Sequence, residues 1–111
     1  MQLKKAEALD KEWMKKARDL GLLNEKHFKQ ALEAYNEQIS IAEKLREDIK
    51  ERGVTIIQPV GKDRERSEPN KSVSLLQTTE KLAQSLRKEL DDKVEKAMIQ
   101  LEKDKENDIK L

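Results

Sequence analysis

The sequence predicts an all-α protein in which a helical hairpin is followed by a short extended segment and a long C-terminal helix, assembling into a homo-oligomer. Apolar residues recur every three or four positions over most of the 111 residues, as they do on one face of a helix. Charged residues make up 42% of the chain and aromatic residues only 3%, so a single copy has little material for a core. Apolar stripes longer than one thin domain can bury favour self-association.

An apolar stripe from Leu9 through Trp13 to Leu20 predicts the first helix. Gly21 is expected to end it, because glycine tolerates the left-handed backbone that closes a helix. Asn24 is expected to cap the second helix by accepting a hydrogen bond from an amide of the first turn.

The second helix is predicted from a seam of apolar residues that begins at Phe28 and ends at Ile49. Gly53 then supplies the stop. The two helices form the predicted N-terminal hairpin, residues 1–53 of a single domain. Phe28 and Tyr35, like Trp13, stand among aliphatic neighbours, so they are predicted to pack in the core.

Residues 54–70 are predicted to form an extended arm or small hairpin and a charged loop. The β-branched run 54–57 is typical of a strand, and Pro59 is a turn residue. Residues 62–68 contain no apolar side chain, which predicts a mobile surface loop.

A long C-terminal helix with an acidic tail is predicted over residues 71–111, with Asn70 or Ser72 as its cap. Its apolar positions include a partial heptad, a pattern typical of helices that pack on a partner helix. The predicted oligomer interface consists of Leu76, Ala83, Leu86, Leu90 and Val94.

Catalysis is not predicted. The chain has no cysteine and a single histidine, His27, which excludes a thiolate or histidine-cluster metal site. The Gly61-Lys62 pair lacks the first glycine and the hydroxyl residue of a phosphate-binding loop. Asp91 and Asp92 point about 100° apart on a helix and are predicted to form a solvated turn. We therefore expect no enzyme activity, cofactor or metal.

Any contact with DNA must be local, because 24 basic and 23 acidic residues leave a net charge of +1. Two groups of basic residues are candidates for phosphate contacts, one on a face of the first helix and one in the charged loop. The alternative for each group is a solvated surface. The candidates are Lys4, Lys11, Lys15 and Arg18 in the first group and Lys62, Arg64 and Arg66 in the second.

The order of these features resembles the P27-like family of phage terminase small subunits. The segments that carry the resemblance are WMKKARDLGLLNE, ALEAYNEQISIAEKLREDIKERG and VTIIQPVGKDRERSEPNKSVSLLQTTEKLAQSLRKEL. The matching positions are Trp13, the Gly-Leu-Leu turn at 21–23, Tyr35, Gly53 and Pro69, followed by a leucine-rich helix.

The resemblance implies a non-catalytic, ring-forming adaptor in the cytoplasm of a bacterial host. Its partners would be double-stranded viral DNA and the large terminase subunit, whose ATPase and nuclease carry out the chemistry. The alternative is a helical coiled-coil module for protein–protein interaction that does not bind nucleic acid. No apolar run reaches the roughly 20 residues of a membrane span, so an intracellular protein without membrane contact is expected.

Overall fold

A computed structural model describes residues 7–59 and 65–109. The described chain is mostly helical, which confirms the all-α prediction, and it forms an elongated molecule of 85 × 26 × 20 Å. The elements are α1 (Lys11–Asp19), a 3-10 turn (Leu22–Asn24), α2 (Lys26–Arg52), β1 (Thr55–Pro59), β2 (Glu65–Pro69) and α3 (Lys71–Ile109).

Helix α1 has a clear cap at each end. At its start, the backbone N–H of Trp13 donates to the carboxylate of Asp10 at 2.8 Å. The helix ends before Gly21, which has the predicted left-handed backbone at φ 76°. The predicted cap at Asn24 is wrong, because Asn24 closes the 3-10 turn. Glu25 occupies the cap position of α2 and makes no side-chain capping bond.

Helices α2 and α3 run antiparallel and enclose the core. Ser72 at the start of α3 lies beside Asp48 near the end of α2. The 39 residues of α3 span about 58 Å and the 27 of α2 about 40 Å, so α3 extends well beyond its partner. The buried core consists of Ala17 from α1, Phe28, Ala31, Tyr35 and Ile39 from α2, and Ala83, Leu90 and Val94 from α3.

The junction between α2, the hairpin and α3 is held by Asn70, which is only 1% exposed. Its side-chain oxygen accepts the backbone N–H of Ser72 at 3.0 Å, the bond expected of a helix cap. Its side-chain amide donates to the carbonyl of Gly53 at 2.9 Å, where α2 has just ended. Asn70 is thus the cap of α3. Its bond to Gly53 also holds the end of α2 next to the start of α3.

Asp48 completes this junction as an acceptor for three neighbouring side chains. Arg52 donates to it through two nitrogens at 2.6 and 2.8 Å, the Ser72 hydroxyl at 2.6 Å and the Asn70 amide at 3.2 Å. The hydrogen bonds from Arg52 and Ser72 hold the pKa of Asp48 well below its usual range.

The extended segment forms a hairpin. Strands β1 and β2 pair antiparallel, with Thr55 opposite Pro69 and Pro59 opposite Glu65. The predicted surface loop at 62–68 is therefore wrong over residues 65–68, which belong to β2. The pairing is made by backbone hydrogen bonds, and an antiparallel sheet can turn one face to solvent, so the polar sequence of β2 is compatible with a strand. Residues 60–64 lie outside the described part of the chain.

Candidate nucleic-acid interface

Three of the predicted DNA-binding cations are brought together on α1. Lys11, Lys15 and Arg18 are exposed and line one surface hollow together with Leu9, Asp10 and Met14. Lys11 and Arg18 are seven residues apart, about 10.5 Å along the helix axis. The hollow therefore presents a short row of cations to solvent on one face of a helix.

Among the described residues that line this hollow, Asp10 has the only carboxylate, and that carboxylate already accepts a hydrogen bond. It accepts the backbone N–H of Trp13 and lies at the positive end of the α1 dipole. The described lining residues, three cations and one anion, give the hollow a net positive charge. This charge favours binding of an anion such as a phosphate group.

The other side of α1 is attached to the core through Trp13. Its ring stacks on Phe28 with 5.9 Å between centroids and 11° between planes. The guanidinium of Arg87 lies 5.4 Å from the centre of the Trp13 ring. The indole Nε1–H donates to the Asp91 carboxylate at 2.9 Å, and Arg87 donates to the same carboxylate at 3.2 Å. Trp13 thus joins α1 to both long helices.

Two further contacts fix the N-terminal part of the chain. Ala17, one turn after Trp13, is fully buried. The hydroxyl of Tyr35, itself 1% exposed, donates to the backbone carbonyl of Glu7 before α1 begins. The structure confirms that Phe28 and Tyr35 are core residues. With Trp13 they fix the helix that carries the cations.

A family model described as phage terminase, small subunit, matches residues 10–91. The chain belongs to the phage terminase small subunit family. The match begins at Asp10, the cap of α1, and ends at Asp91, the acceptor of the Trp13 indole. It therefore includes α1, α2, the hairpin and residues 71–91 of α3. No curated protein and no solved structure matches the chain significantly.

Asp91 is the residue of this terminase small subunit that the sequence pattern missed. Asp91 and Asp92 lie inside α3 and both are exposed, as expected of a solvated turn of the predicted helix. The carboxylate of Asp91 also accepts a hydrogen bond from the indole of Trp13, which is 78 positions away in the chain. No local signal marks a contact over that separation.

The second predicted group of cations is not assembled by the described residues. Arg66 lies in β2 opposite Gln58. Lys62 and Arg64 lie outside the described part of the chain, as does Lys4 of the first group. Phosphate contact by these four residues stays a prediction.

Most of the residues predicted for an oligomer interface pack inside a single copy of this terminase small subunit. Ala83, Leu90 and Val94 are core residues, and Leu86 is half-buried against the core. Leu76 is half-buried. The large apolar side chains that α3 exposes are other ones, namely Leu75, Leu82, Met98, Ile99 and Leu101. Oligomerisation stays a prediction.

Over residues 7–59 and 65–109, no cluster of three or more histidine, cysteine, aspartate or glutamate side chains is arranged to hold a metal ion. No helix in the same part of the chain is both long and apolar enough to span a membrane. His27 is exposed in the first turn of α2.

Proposed function

We propose that this terminase small subunit is a non-catalytic adaptor for DNA packaging. It binds double-stranded viral DNA and recruits or regulates the large terminase subunit, the ATPase and nuclease, in the cytoplasm of the bacterial host. The family match supports this role, and the resemblance to P27-like small subunits gives it its finer form. The observation that carries the DNA-binding part is the row of Lys11, Lys15 and Arg18 on α1.

The position of these cations on a docked helix favours DNA binding. Trp13 and Ala17 hold the opposite side of α1, so the three side chains start from a fixed backbone. A fixed backbone lowers the conformational entropy that is lost when the cations meet phosphates. Phosphate contacts also release counterions from DNA, which strengthens binding at low salt.

One such row is a small binding surface, and we propose that a homo-oligomer repeats it. In a closed symmetric assembly each copy presents the same row of cations. Linked sites bind one DNA molecule with an avidity far above that of a single site. The near-neutral net charge of the chain is compatible with this mechanism, because only the local charge of α1 has to meet DNA.

The test compares two triple variants of equal charge. One variant replaces Lys11, Lys15 and Arg18 with glutamine. The other replaces three exposed lysines of α3 with glutamine, namely Lys81, Lys88 and Lys96. Binding to labelled duplex DNA is followed by fluorescence anisotropy over a series of salt concentrations. The α1 variant should lose affinity, and the slope of log K against log salt should fall by about 2 to 3 per chain. The α3 variant should keep most of the wild-type affinity and most of the wild-type slope.

Equal losses in the two variants would contradict a specific role of α1 and indicate a general charge effect. Wild-type protein that does not bind DNA at low salt would contradict the adaptor proposal altogether. That result would favour the interaction module without nucleic acid, which the exposed Leu75 and Leu82 of α3 support. Light scattering on the same samples, with and without DNA, gives the oligomeric state.

A further inference from the structure

One side of α3, which we call the outer stripe, faces away from α1. Trp13 of α1 binds Asp91, and Leu82 and Leu75 precede Asp91 by nine and 16 positions. At about 100° per residue they lie about 180° and 160° from Asp91 around the helix, so they are on the side opposite α1. Leu75 is 55% exposed and Leu82 47%. The outer stripe consists of six exposed residues, namely Lys71, Leu75, Thr78, Leu82, Ser85 and Glu89.

Helix α2 also exposes an apolar side chain away from α1. Ile41 is 37% exposed and lies about 140° around the helix from Phe28, the residue on which Trp13 stacks. Arg46 of α2 forms an ion pair with Glu80 of α3, which places this part of α2 beside the middle of the outer stripe. In a chain of which 42% of the residues are charged, such an apolar surface indicates a partner.

The spacing of the outer stripe is the same from either end. Its positions follow steps of four, three, four, three and four residues, as in the seam of a coiled coil, and position 80 is the midpoint. On a second copy turned end for end, Leu75 faces Ser85 of that copy. Thr78 likewise faces Leu82, so a large side chain meets a small one at each level, which favours close packing. The Thr78 hydroxyl already donates to the carbonyl of Ser74 at 3.2 Å, so it stays satisfied when the stripe is buried.

The charges at the two ends of the outer stripe favour antiparallel pairing. Lys71 of each copy then faces Glu89 of the other, which makes two pairs of opposite charge. Parallel pairing would instead place each lysine beside a lysine and each glutamate beside a glutamate, and like charges disfavour that arrangement. Within one chain the two residues are about 27 Å apart along the helix axis, so they cannot pair with each other.

We infer that a second copy of this chain binds the outer stripe, with the two α3 helices antiparallel about a two-fold axis at position 80. The inference rests on the part of the proposed function in which copies of this small subunit assemble, and it identifies the contact between them. The apolar middle of the stripe supplies affinity, and its charged ends supply direction. Helix α1 lies on the far side of α3 in each copy, so the cationic rows of both copies stay exposed to DNA.

The first test measures the oligomeric state of the full chain by analytical ultracentrifugation without DNA. Leu75→Gln combined with Leu82→Gln removes four leucines from each two-fold interface and should raise the dissociation constant about hundredfold or more. The matched control combines Ile99→Gln with Leu101→Gln, because these residues are 48% and 46% exposed on the same helix but lie outside the stripe. The control should keep the wild-type dissociation constant. Glutamine is a good helix former, so circular dichroism should show intact helices in both variants.

The second test reverses the charges at the ends of the outer stripe. Lys71→Glu and Glu89→Lys each bring like charges together at both ends of the interface, so each variant alone should dimerise about tenfold more weakly. An equimolar mixture of the two variants should dimerise as well as wild-type protein, because the mixed pair again joins opposite charges at both ends. Lys88→Glu is the control, since Lys88 is exposed on α3 outside the stripe, and it should change the dissociation constant little.

Each contrary result overturns a defined part of the inference. Association that survives the loss of both leucines would assign the contact to another surface. Charge variants that dimerise as well as wild-type protein, or whose mixture does not restore dimerisation, would refute the antiparallel pairing. Wild-type protein that stays monomeric at high concentration would refute a second copy as the partner, together with the proposed homo-oligomer. DNA binding by α1 is measured separately in the duplex titrations, so its failure is distinguishable from failure of this interface.

Discussion

Replacement of Trp13 by alanine is expected to detach α1 while α2 and α3 stay folded. The indole stacks on Phe28, lies against Arg87 and donates to Asp91. An aromatic pair contributes about 0.5–1.5 kcal/mol, an exposed cation–π contact about 0.5–1 and a hydrogen bond about 0.5–1.5. The three contacts together amount to about 1.5–4 kcal/mol, apart from the apolar area that is lost.

The stability of α1 depends on these contacts because the helix has only nine residues. Isolated helices shorter than about 12–15 residues are marginal in water. Amide hydrogen exchange measures the effect directly. Protection of the α1 amides should fall by about tenfold to several-hundredfold in Trp13→Ala, which is 1.5–4 kcal/mol at 1.4 kcal/mol per factor of ten. Amides in the middle of α2 and α3 should change little.

Trp13→Phe is the matched control, because it keeps a six-membered ring to stack on Phe28 and removes the indole N–H that binds Asp91, together with part of the ring area. Its loss of protection should lie between those of wild-type protein and Trp13→Ala. An equal loss of protection in all three helices after Trp13→Ala would refute the reasoning, since α1 would then unfold only with the whole molecule. Unchanged protection of α1 would refute the role of the indole.

Two further predictions concern the junction and the ends of α1 and α2. The hydrogen bonds from Arg52 and Ser72 lower the pKa of Asp48 in the folded state, so the unfolded chain binds a proton first as the pH falls. The stabilisation by Asp48 should be complete above about pH 4 and fade below it, and Asp48→Asn should flatten this part of a plot of urea midpoint against pH. Gly53→Ala should lower the free energy of unfolding by about 1–3 kcal/mol, because φ 82° with ψ 177° is a region almost confined to glycine. Gly21→Ala, at φ 76° and ψ 8°, should lower the free energy of unfolding by about 1–2 kcal/mol. A larger loss for Gly21→Ala than for Gly53→Ala in urea titrations would contradict this ranking.

The ends of the elements were largely predictable from single residues. Gly21 and Gly53 adopt positive φ where the sequence placed the helix stops, and Asn70 caps α3. These signals work because a cap or a left-handed residue acts within one helical turn. Asn24 shows the limit of such signals, since its side chain is as suitable for a cap as that of Asn70, yet the 3-10 turn moves the start of α2 beyond it.

The partners of the apolar faces were less predictable. The heptad that includes Ala83 and Leu90 correctly marks one apolar face of α3, and the structure covers these two residues within the same chain. Periodicity shows which face of a helix is apolar, but it does not show whether the covering helix belongs to the same copy. The contact of Trp13 with Asp91 is beyond sequence pattern altogether, because a polar pair 78 positions apart has no period.

The candidate site depends on a local sequence pattern and on contacts between residues that are distant in the chain. The row formed by Lys11, Lys15 and Arg18 follows from helical spacing, whereas its fixed orientation follows from the contacts of Trp13 with α2 and α3. Loss of these contacts leaves every cation in the chain. However, α1 must then dock on α2 and α3 before the cations can bind DNA, and this ordering costs free energy. The apparent association constant is then that of the docked form multiplied by the fraction of molecules in which α1 is docked. Trp13→Ala should therefore weaken DNA binding without changing the slope of log K against log salt, whereas the triple glutamine variant of α1 should lower both. A lower slope for Trp13→Ala would mean that the undocked helix loses phosphate contacts, and the separation of docking from binding would be wrong.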